Sequence, residues 1–328
     1  MPHVLVAGRI HEAGIDALRA TEGITLDVVD EVSLESYAKL IVRADAVLIR
    51  TQPMPAEVIA TAPQLRIVSR HGVGYDSVDV PALNARRIPL SLVGDVNSRS
   101  VAEHALMMIL ALARRLPDYD RATRAGEWHR RDSREAGDIA GKSLLVIGFG
   151  RIGRIVAKMA QAFEMQVMVR DPMADPAAIR DAGAVPADDL GGALAAADFV
   201  SLHIPRAGQA PVIGATELAR MKPSAFLINT ARGGLVDDAA LDEALRAGRL
   251  AGAGLDVFTE EPPHPGRGLL GNERVLLTPH VAGLTQECAM RMSLAAARNI
   301  LDHFAGRLDP ALVVNRAAIG YAAAPAGA

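Results

Sequence analysis

The stretch from Leu144 to Asp171, LLVIGFGRIGRIVAKMAQAFEMQVMVRD, constrains the fold more than any other part of the chain. An apolar run, Leu144 to Ile147, leads into Gly148-Phe149-Gly150-Arg151-Ile152-Gly153. A helix-patterned segment follows, and a second apolar run ends at Asp171. That order predicts strand, glycine turn, helix and strand, the unit that holds a dinucleotide. Gly148 allows the tight turn, Gly150 lets backbone approach a pyrophosphate, and Gly153 lets helix pack closely on strand. The helix N-terminus then faces the phosphates with unpaired N–H groups and the positive end of its dipole. Asp171, at the end of the second strand, is positioned to accept hydrogen bonds from a ribose diol. A glycine turn that only packs needs neither the flanking elements nor this carboxylate.

The 328 residues exceed a usual single domain, so two domains are expected. Half the chain is hydrophobic and only 3% is aromatic, so the core must be built mainly from Val, Leu, Ile, Ala and Met. A formal net charge of -3 gives no reason to expect nucleic acid or a membrane surface as partner. No apolar run approaches the roughly 18 residues of a membrane span, and Met1-Pro2-His3 leads directly into a strand pattern without a signal peptide. A cytoplasmic protein is expected. The single cysteine, Cys288, excludes an internal disulfide and a thiolate zinc cluster, and its helix-like surroundings, TQECAMRMSLAAARNI, suit burial. The spacing of His71, His104, His129 and His203 makes no metal-ligand pattern, so no metal is expected.

Short β-rich runs at His3–Gly8, Ile24–Val29, Ala46–Arg50, Leu65–Ser69 and Pro89–Val93 alternate with helix-patterned segments near Glu12–Ala20, Leu34–Arg43, Ala56–Ala62 and Val80–Arg87. The alternation predicts a parallel sheet covered on both faces, an α/β domain without a nucleotide fingerprint. Ser98 to Ala125 reads as a long helical connector with a break or kink at Pro117. An arm from Gly126 to Gly141 follows and carries the only tryptophan, Trp128, which suits either local cover or a subunit interface. From Lys142 the alternation resumes, with runs at Leu144–Gly148, Gln166–Val169, Phe199–Ile204, Phe226–Thr230, Gly252–Val257 and Val275–Thr278, a second doubly wound sheet. A last long helix reaches about Ala305 and a frayed tail, YAAAPAGA, closes the chain.

Ligands of such sheets bind at the carboxyl ends of the strands, and four polar stretches fall there. Asn229-Thr230-Ala231-Arg232-Gly233-Gly234 supplies an arginine able to hold a carboxylate bidentately and polarise a carbonyl. Gly254 to Pro262 ends a strand with several acids, including Asp256 and Glu261. Thr278-Pro279-His280-Val281-Ala282-Gly283 ends another with a histidine, the side chain suited to proton transfer near neutral pH. Arg70-His71-Gly72-Val73-Gly74-Tyr75-Asp76 offers a turn whose N–H groups could cradle an anion.

SRHGVGYDSVD, NSRSVAEH, GFGRIGR, NTARGGLVD, AGLDVFTEEPP and TPHVAG occur in the order seen in the D-isomer-specific 2-hydroxyacid dehydrogenases, and the chain resembles most their phosphoglycerate dehydrogenase-like branch. The resemblance implies two Rossmann-like α/β domains, a flavodoxin-like substrate domain and an NAD-binding domain, with the active site in the cleft between them. Residues 1–98 would be the substrate-binding domain, 99–284 the NAD-binding domain, and 285–328 a helix returning to the first domain plus the tail. The implied catalytic group is Arg232, Glu261 and His280. The implied cofactor contacts are Gly148, Phe149, Gly150, Arg151, Ile152, Gly153, Asp171, His203, Ile204, Pro205, Thr230, Ala231, Arg232, Asp256, His280 and Gly283. Arg232 with Arg50, Arg70, Gly72, Val73 and Gly74 would meet the substrate.

Chemistry gives these roles independently. Oxidising a 2-hydroxy acid requires loss of the hydroxyl proton as hydride leaves the same carbon for nicotinamide. His280 is the candidate acid/base, with Glu261 expected to orient its imidazole and Arg232 to grip carboxylate and carbonyl oxygen. The expected cofactor is NAD, since Asp171 repels a 2′-phosphate; Arg170 beside it is the feature that suits NADP. HIPRAGQAPVIG departs from the family by carrying Arg206 and lacking the usual threonine-containing turn. Arg50 and Arg70 suit a second anionic group, as in 3-phosphoglycerate, a sulfo-acid or a dicarboxylate. Hydroxypyruvate or glyoxylate reduction is the alternative within the class, and a dinucleotide-sensing corepressor-like binding protein the alternative outside it. A homodimer through the NAD-binding domain is expected. No regulatory domain follows the last helix, so serine feedback is not expected.

Overall fold

The computed structural model describes residues 1–321 apart from Ala207, Gln209 and Arg267; the tail expected to fray therefore lies, from 322 on, outside the described residues. The chain divides into two compact units, one formed by Met1–Asn97 and Leu284–Ala328, the other by Ser98–Gly283.

The first unit holds five parallel strands, β1 (His3–Ala7), β2 (Thr25–Val29), β3 (Ala46–Ile49), β4 (Ile67–Arg70) and β5 (Leu90–Ser91), in the order β2-β1-β3-β4-β5. Side chains alternate across a strand, so Val4 and Val6 face one layer and Leu5 and Ala7 the other. The first layer is closed by the helices Glu12–Arg19 and Gln286–Phe304, through Ile15, Leu18, Met292, Ala296 and Ile300. Cys288 is buried there, as its apolar surroundings require. The opposite layer contains Tyr37, Ile41, Ile59 and Leu83. Burial on both faces is why these strands read as continuous apolar runs rather than alternating ones.

The second unit begins with the helix Ser98–Ala113. Arg115 then adopts a left-handed conformation, φ 52°, and a new helix runs from Leu116 to Arg124. The break thus precedes Pro117, which sits in the first turn of the new helix, where its missing N–H and fixed φ cost nothing. The strands are β6 (Ser143–Ile147), β7 (Gln166–Arg170), β8 (Val185–Pro186), β9 (Phe199–Leu202), β10 (Phe226–Asn229), β11 (Gly252–Leu255) and β12 (Val275–Leu277). All pair parallel in the order β12-β11-β10-β9-β6-β7-β8. Strand order reverses between β6 and β9, the position where doubly wound sheets take ligands. β8 and the short helix Pro176–Asp181 have no clear periodicity in the sequence. Among the described residues no helix is long and apolar enough to cross a membrane.

Candidate active site

The glycine turn follows β6 at the reversal point. Gly148 has φ +99°, and a Cβ built on it would meet the His203 carbonyl and the Ile204 side chain. A Cβ on Gly153 would overlap the Gly148 carbonyl oxygen, so this glycine sets the contact between strand end and helix. Gly150 caps the helix Arg151–Ala162, and a Cβ there would meet nothing within 4 Å. The space over Gly150 is open, and a helix that starts there begins with N–H groups lacking intrahelical partners. Arg154 braces the turn, donating from Nε to the Phe149 carbonyl at 3.0 Å while its guanidinium stacks 4.4 Å from the Phe149 ring.

Asp171 follows β7 and reaches back to this turn. Its Oδ2 accepts from the Phe149 N–H at 2.7 Å and its Oδ1 from the Met173 N–H at 2.8 Å. Each carboxylate oxygen keeps a lone pair for a further donor. Across the reversal point, His203 follows β9, bonding Ser201 Oγ through Nε2 at 2.8 Å. Its Nδ1 is buried without a partner, as is Thr230 Oγ1 after β10. Burial pushes the His203 pKa down to about 4, leaving the ring neutral at physiological pH. Buried polar atoms rarely remain unpaired in a folded protein. The open space over Gly150, the two orphaned polar atoms and the Asp171 carboxylate together fit a dinucleotide.

The residues expected to carry the chemistry lie at the next strand ends. Buried Asn229 ends β10 and organises its turn, donating from Nδ2 to the Arg232 carbonyl at 2.8 Å and accepting from the Ala231 N–H at 3.0 Å. Arg232 Nη1 donates to the Ala231 carbonyl at 2.7 Å. A Cβ on Gly233 would collide with the Phe258 carbonyl, so the turns after β10 and β11 touch. Glu261 lies in the second of these turns. Its Oε1 accepts from the Phe258 N–H at 3.0 Å, and its Oε2 stands 2.7 Å from His280 Nδ1. With Nδ1 engaged, Nε2 is the nitrogen His280 can offer to another molecule. His280 adopts a left-handed conformation, φ 53°, unusual for a residue with a side chain. The pair borders a cavity of about 440 Å³ whose walls include Phe258, Pro262, Leu270, Leu277 and Pro279.

Asp256, expected beside the cofactor, is fully buried and engaged with the turn after β12. Its Oδ1 accepts from Thr278 Oγ1 at 2.6 Å and from the Val281 N–H at 2.8 Å, and its Oδ2 from the Ala282 N–H at 2.9 Å. His104, the last residue of NSRSVAEH and assigned no role from the sequence, bonds Thr278 Oγ1 through Nε2 at 3.0 Å. Arg232, Glu261, His280 and the expected dinucleotide contacts all belong to the second unit.

The expected substrate residues Arg50, Arg70, Gly72, Val73 and Gly74 belong to the first unit. Its strand order reverses between β1 and β3, so the residues after these strands, Gly8-Arg9 and Arg50, flank its own ligand position. Arg50 Nη1 donates to the Arg9 carbonyl at 3.2 Å, and burial, then the Arg9 charge, lowers the Arg50 pKa. Burial first, then Arg50 and Arg70, push the His71 pKa down to about 4. Arg70 Nη1 donates to the His71 carbonyl at 2.7 Å. Arg9 is an addition to the expected set. Only the sheet order, which puts β1 beside β3, brings it to Arg50.

Residues 106–282 match the family model described as the NAD binding domain of D-isomer specific 2-hydroxyacid dehydrogenases. A D-3-phosphoglycerate dehydrogenase of Archaeoglobus fulgidus is 37% identical over 301 residues, 91% of this chain and 56% of the relative, so the chain spans about half the length of that protein. A glyoxylate reductase of Korarchaeum cryptofilum is 37% identical over 322 residues, 95% of this chain and 96% of the relative. The crystal structure of an NADPH-dependent glyoxylate/hydroxypyruvate reductase from Sinorhizobium meliloti is similar with a TM-score of 0.81 and 29% identity, covering 93% of this chain and 95% of the other. With two parallel α/β units, a dinucleotide turn and a His–Glu pair at neighbouring strand ends, the chain belongs to the D-isomer-specific 2-hydroxyacid dehydrogenase family.

Proposed function

We propose that the protein interconverts a D-2-hydroxy acid and its 2-keto acid with NAD. The observation that carries this reading is the 2.7 Å bond between His280 Nδ1 and Glu261 Oε2, which leaves Nε2 to exchange a proton with the substrate oxygen. The bound nicotinamide would supply the hydride acceptor or donor. Glu261, itself fixed by the Phe258 N–H, orients the imidazole. Arg232 holds the substrate carboxylate and polarises the carbonyl as a charged donor. The protein's contribution is therefore positioning and proton transfer.

NAD rather than NADP is supported by Asp171, whose charge disfavours a 2′-phosphate. For the substrate, Arg9, Arg50 and Arg70 in the first unit suit an acid with a second anionic group, 3-phosphoglycerate among them. The near full-length match to a glyoxylate reductase supports a second reading, reduction of glyoxylate or hydroxypyruvate. The test follows absorbance of the reduced cofactor against 3-phosphoglycerate, D-malate, glyoxylate and hydroxypyruvate, for wild type, Arg50→Ala and Arg70→Ala. Loss of kcat/KM by about 10-fold or more on 3-phosphoglycerate alone supports the first reading. An equal effect on glyoxylate favours the second. Cofactor binding without turnover of any acid would instead indicate a dinucleotide sensor. We also infer a homodimer through the second unit, since its Trp128 is 69% exposed; sedimentation of Trp128→Ala as a monomer would support this.

A further inference from the structure

We infer that His104 is a positioning residue for His280, acting through Thr278 and the buried Asp256 carboxylate on the turn that carries the imidazole. This rests on the reading of His280 as the acid/base.

Hydrogen accounting fixes the direction of the chain. A carboxylate can only accept, so the single hydroxyl proton of Thr278 is committed to Asp256 Oδ1 at 2.6 Å. Thr278 then has only lone pairs to offer His104 Nε2 at 3.0 Å, and Nε2 must carry the proton. The tautomer follows from the network, with Nε2–H of His104 donating to Thr278 and Thr278 donating to Asp256. Such chains strengthen their members, because each donor polarises the next. Burial lowers the His104 pKa, only partly offset by Asp256, which agrees with a neutral donor.

The far end of this chain grips the turn on both sides of His280. Thr278 precedes it by two residues, while the Val281 and Ala282 N–H groups that follow it donate to the two oxygens of Asp256. His280 N–H also donates to the Thr278 carbonyl at 3.0 Å. A left-handed residue with a side chain persists only where its surroundings over-determine it. Here one carboxylate fixes the residues on either side, and His104 fixes the hydroxyl that shares that carboxylate. His104 stands on the helix Ser98–Ala113, so the position of the imidazole is referred to a rigid element rather than to its own loop.

The test compares wild type, His104→Ala and His104→Gln, the second retaining an amide donor, with Thr278→Val as an independent way to cut the same chain. In His104→Ala we expect kcat to fall by about 10-fold, with KM and NAD affinity within about 2-fold and Tm nearly unchanged. His104→Gln should recover most of the loss. His104→Ala combined with Thr278→Val should lose little more than Thr278→Val alone. Amide hydrogen exchange, read without substrate or cofactor, should quicken at Val281 and Ala282 in His104→Ala while the cap amides of Ala239 and Ala240 keep their rates. Unchanged exchange at Val281 and Ala282 overturns the inference whatever the turnover. So does an unchanged kcat in His104→Ala, or a loss that His104→Gln does not recover. Full turnover in His280→Ala removes the acid/base reading itself, and the exchange experiment still judges the network.

Discussion

Two turns at the carboxyl ends of one sheet, Gly148–Gly153 after β6 and Thr278–Ala282 after β12, are built on opposite principles. The first owes its shape to missing side chains: a Cβ at Gly148 or Gly153 would strike the His203 or Gly148 carbonyl. The second owes its shape to one buried carboxylate that collects a hydroxyl and two N–H groups. A turn shaped by steric absence brings backbone close to a ligand. A turn shaped by polar partners aims one side chain, here His280. The comparison separates the two tasks of the proposed reaction, holding a dinucleotide and moving a proton.

Substitutions can break the comparison, and the largest effect belongs to the polar turn. His280→Ala should lower kcat by about 10²–10⁴-fold and leave the dissociation constant of NAD, measured by fluorescence titration, nearly unchanged. A matching loss of NAD affinity would show that the turn holds cofactor rather than a proton. On the glycine side, Gly153→Ala forces a backbone overlap and should destabilise the protein by about 3 kcal/mol in urea unfolding. Gly150→Ala meets no neighbouring atom, so stability should stay within about 0.5 kcal/mol while NAD affinity drops by about tenfold. If both alanines behaved alike, the steric division among the glycines would be wrong. The smallest effect is expected at Asp171→Asn, which removes a charge but keeps an acceptor. NADP binding should gain on NAD by roughly 1 kcal/mol, about fivefold, and an unchanged ratio would remove the charge from cofactor choice.

The same contrast explains how much could be read from sequence. Glycines that exclude side chains leave a fixed spacing, so strand, turn, helix and Asp171 were legible as one local pattern. Arg232, Glu261 and His280 could be singled out as candidates because strand ends recur where apolar runs stop and because their motifs resemble the family's. Their geometry was not legible, since Glu261 meets His280 only once β11 and β12 are paired. His104 ends the NSRSVAEH stretch but lies 174 residues from Thr278, and nothing local assigns it a partner. Arg9 was silent for the same reason. The break before Pro117 falls where it does because proline suits the start of the second helix better than the interior of one long helix.

The bond from the Phe149 N–H to Asp171 bears on how cofactor preference could change over evolution or by engineering. The acid proposed to choose between cofactors also braces the glycine turn, accepting from the Phe149 N–H at 2.7 Å. Replacing it with a small or basic residue to admit a 2′-phosphate would leave that N–H without its acceptor, so the altered enzyme would bind both cofactors less well. A stepwise route through asparagine keeps an acceptor for that N–H while the charge is lost.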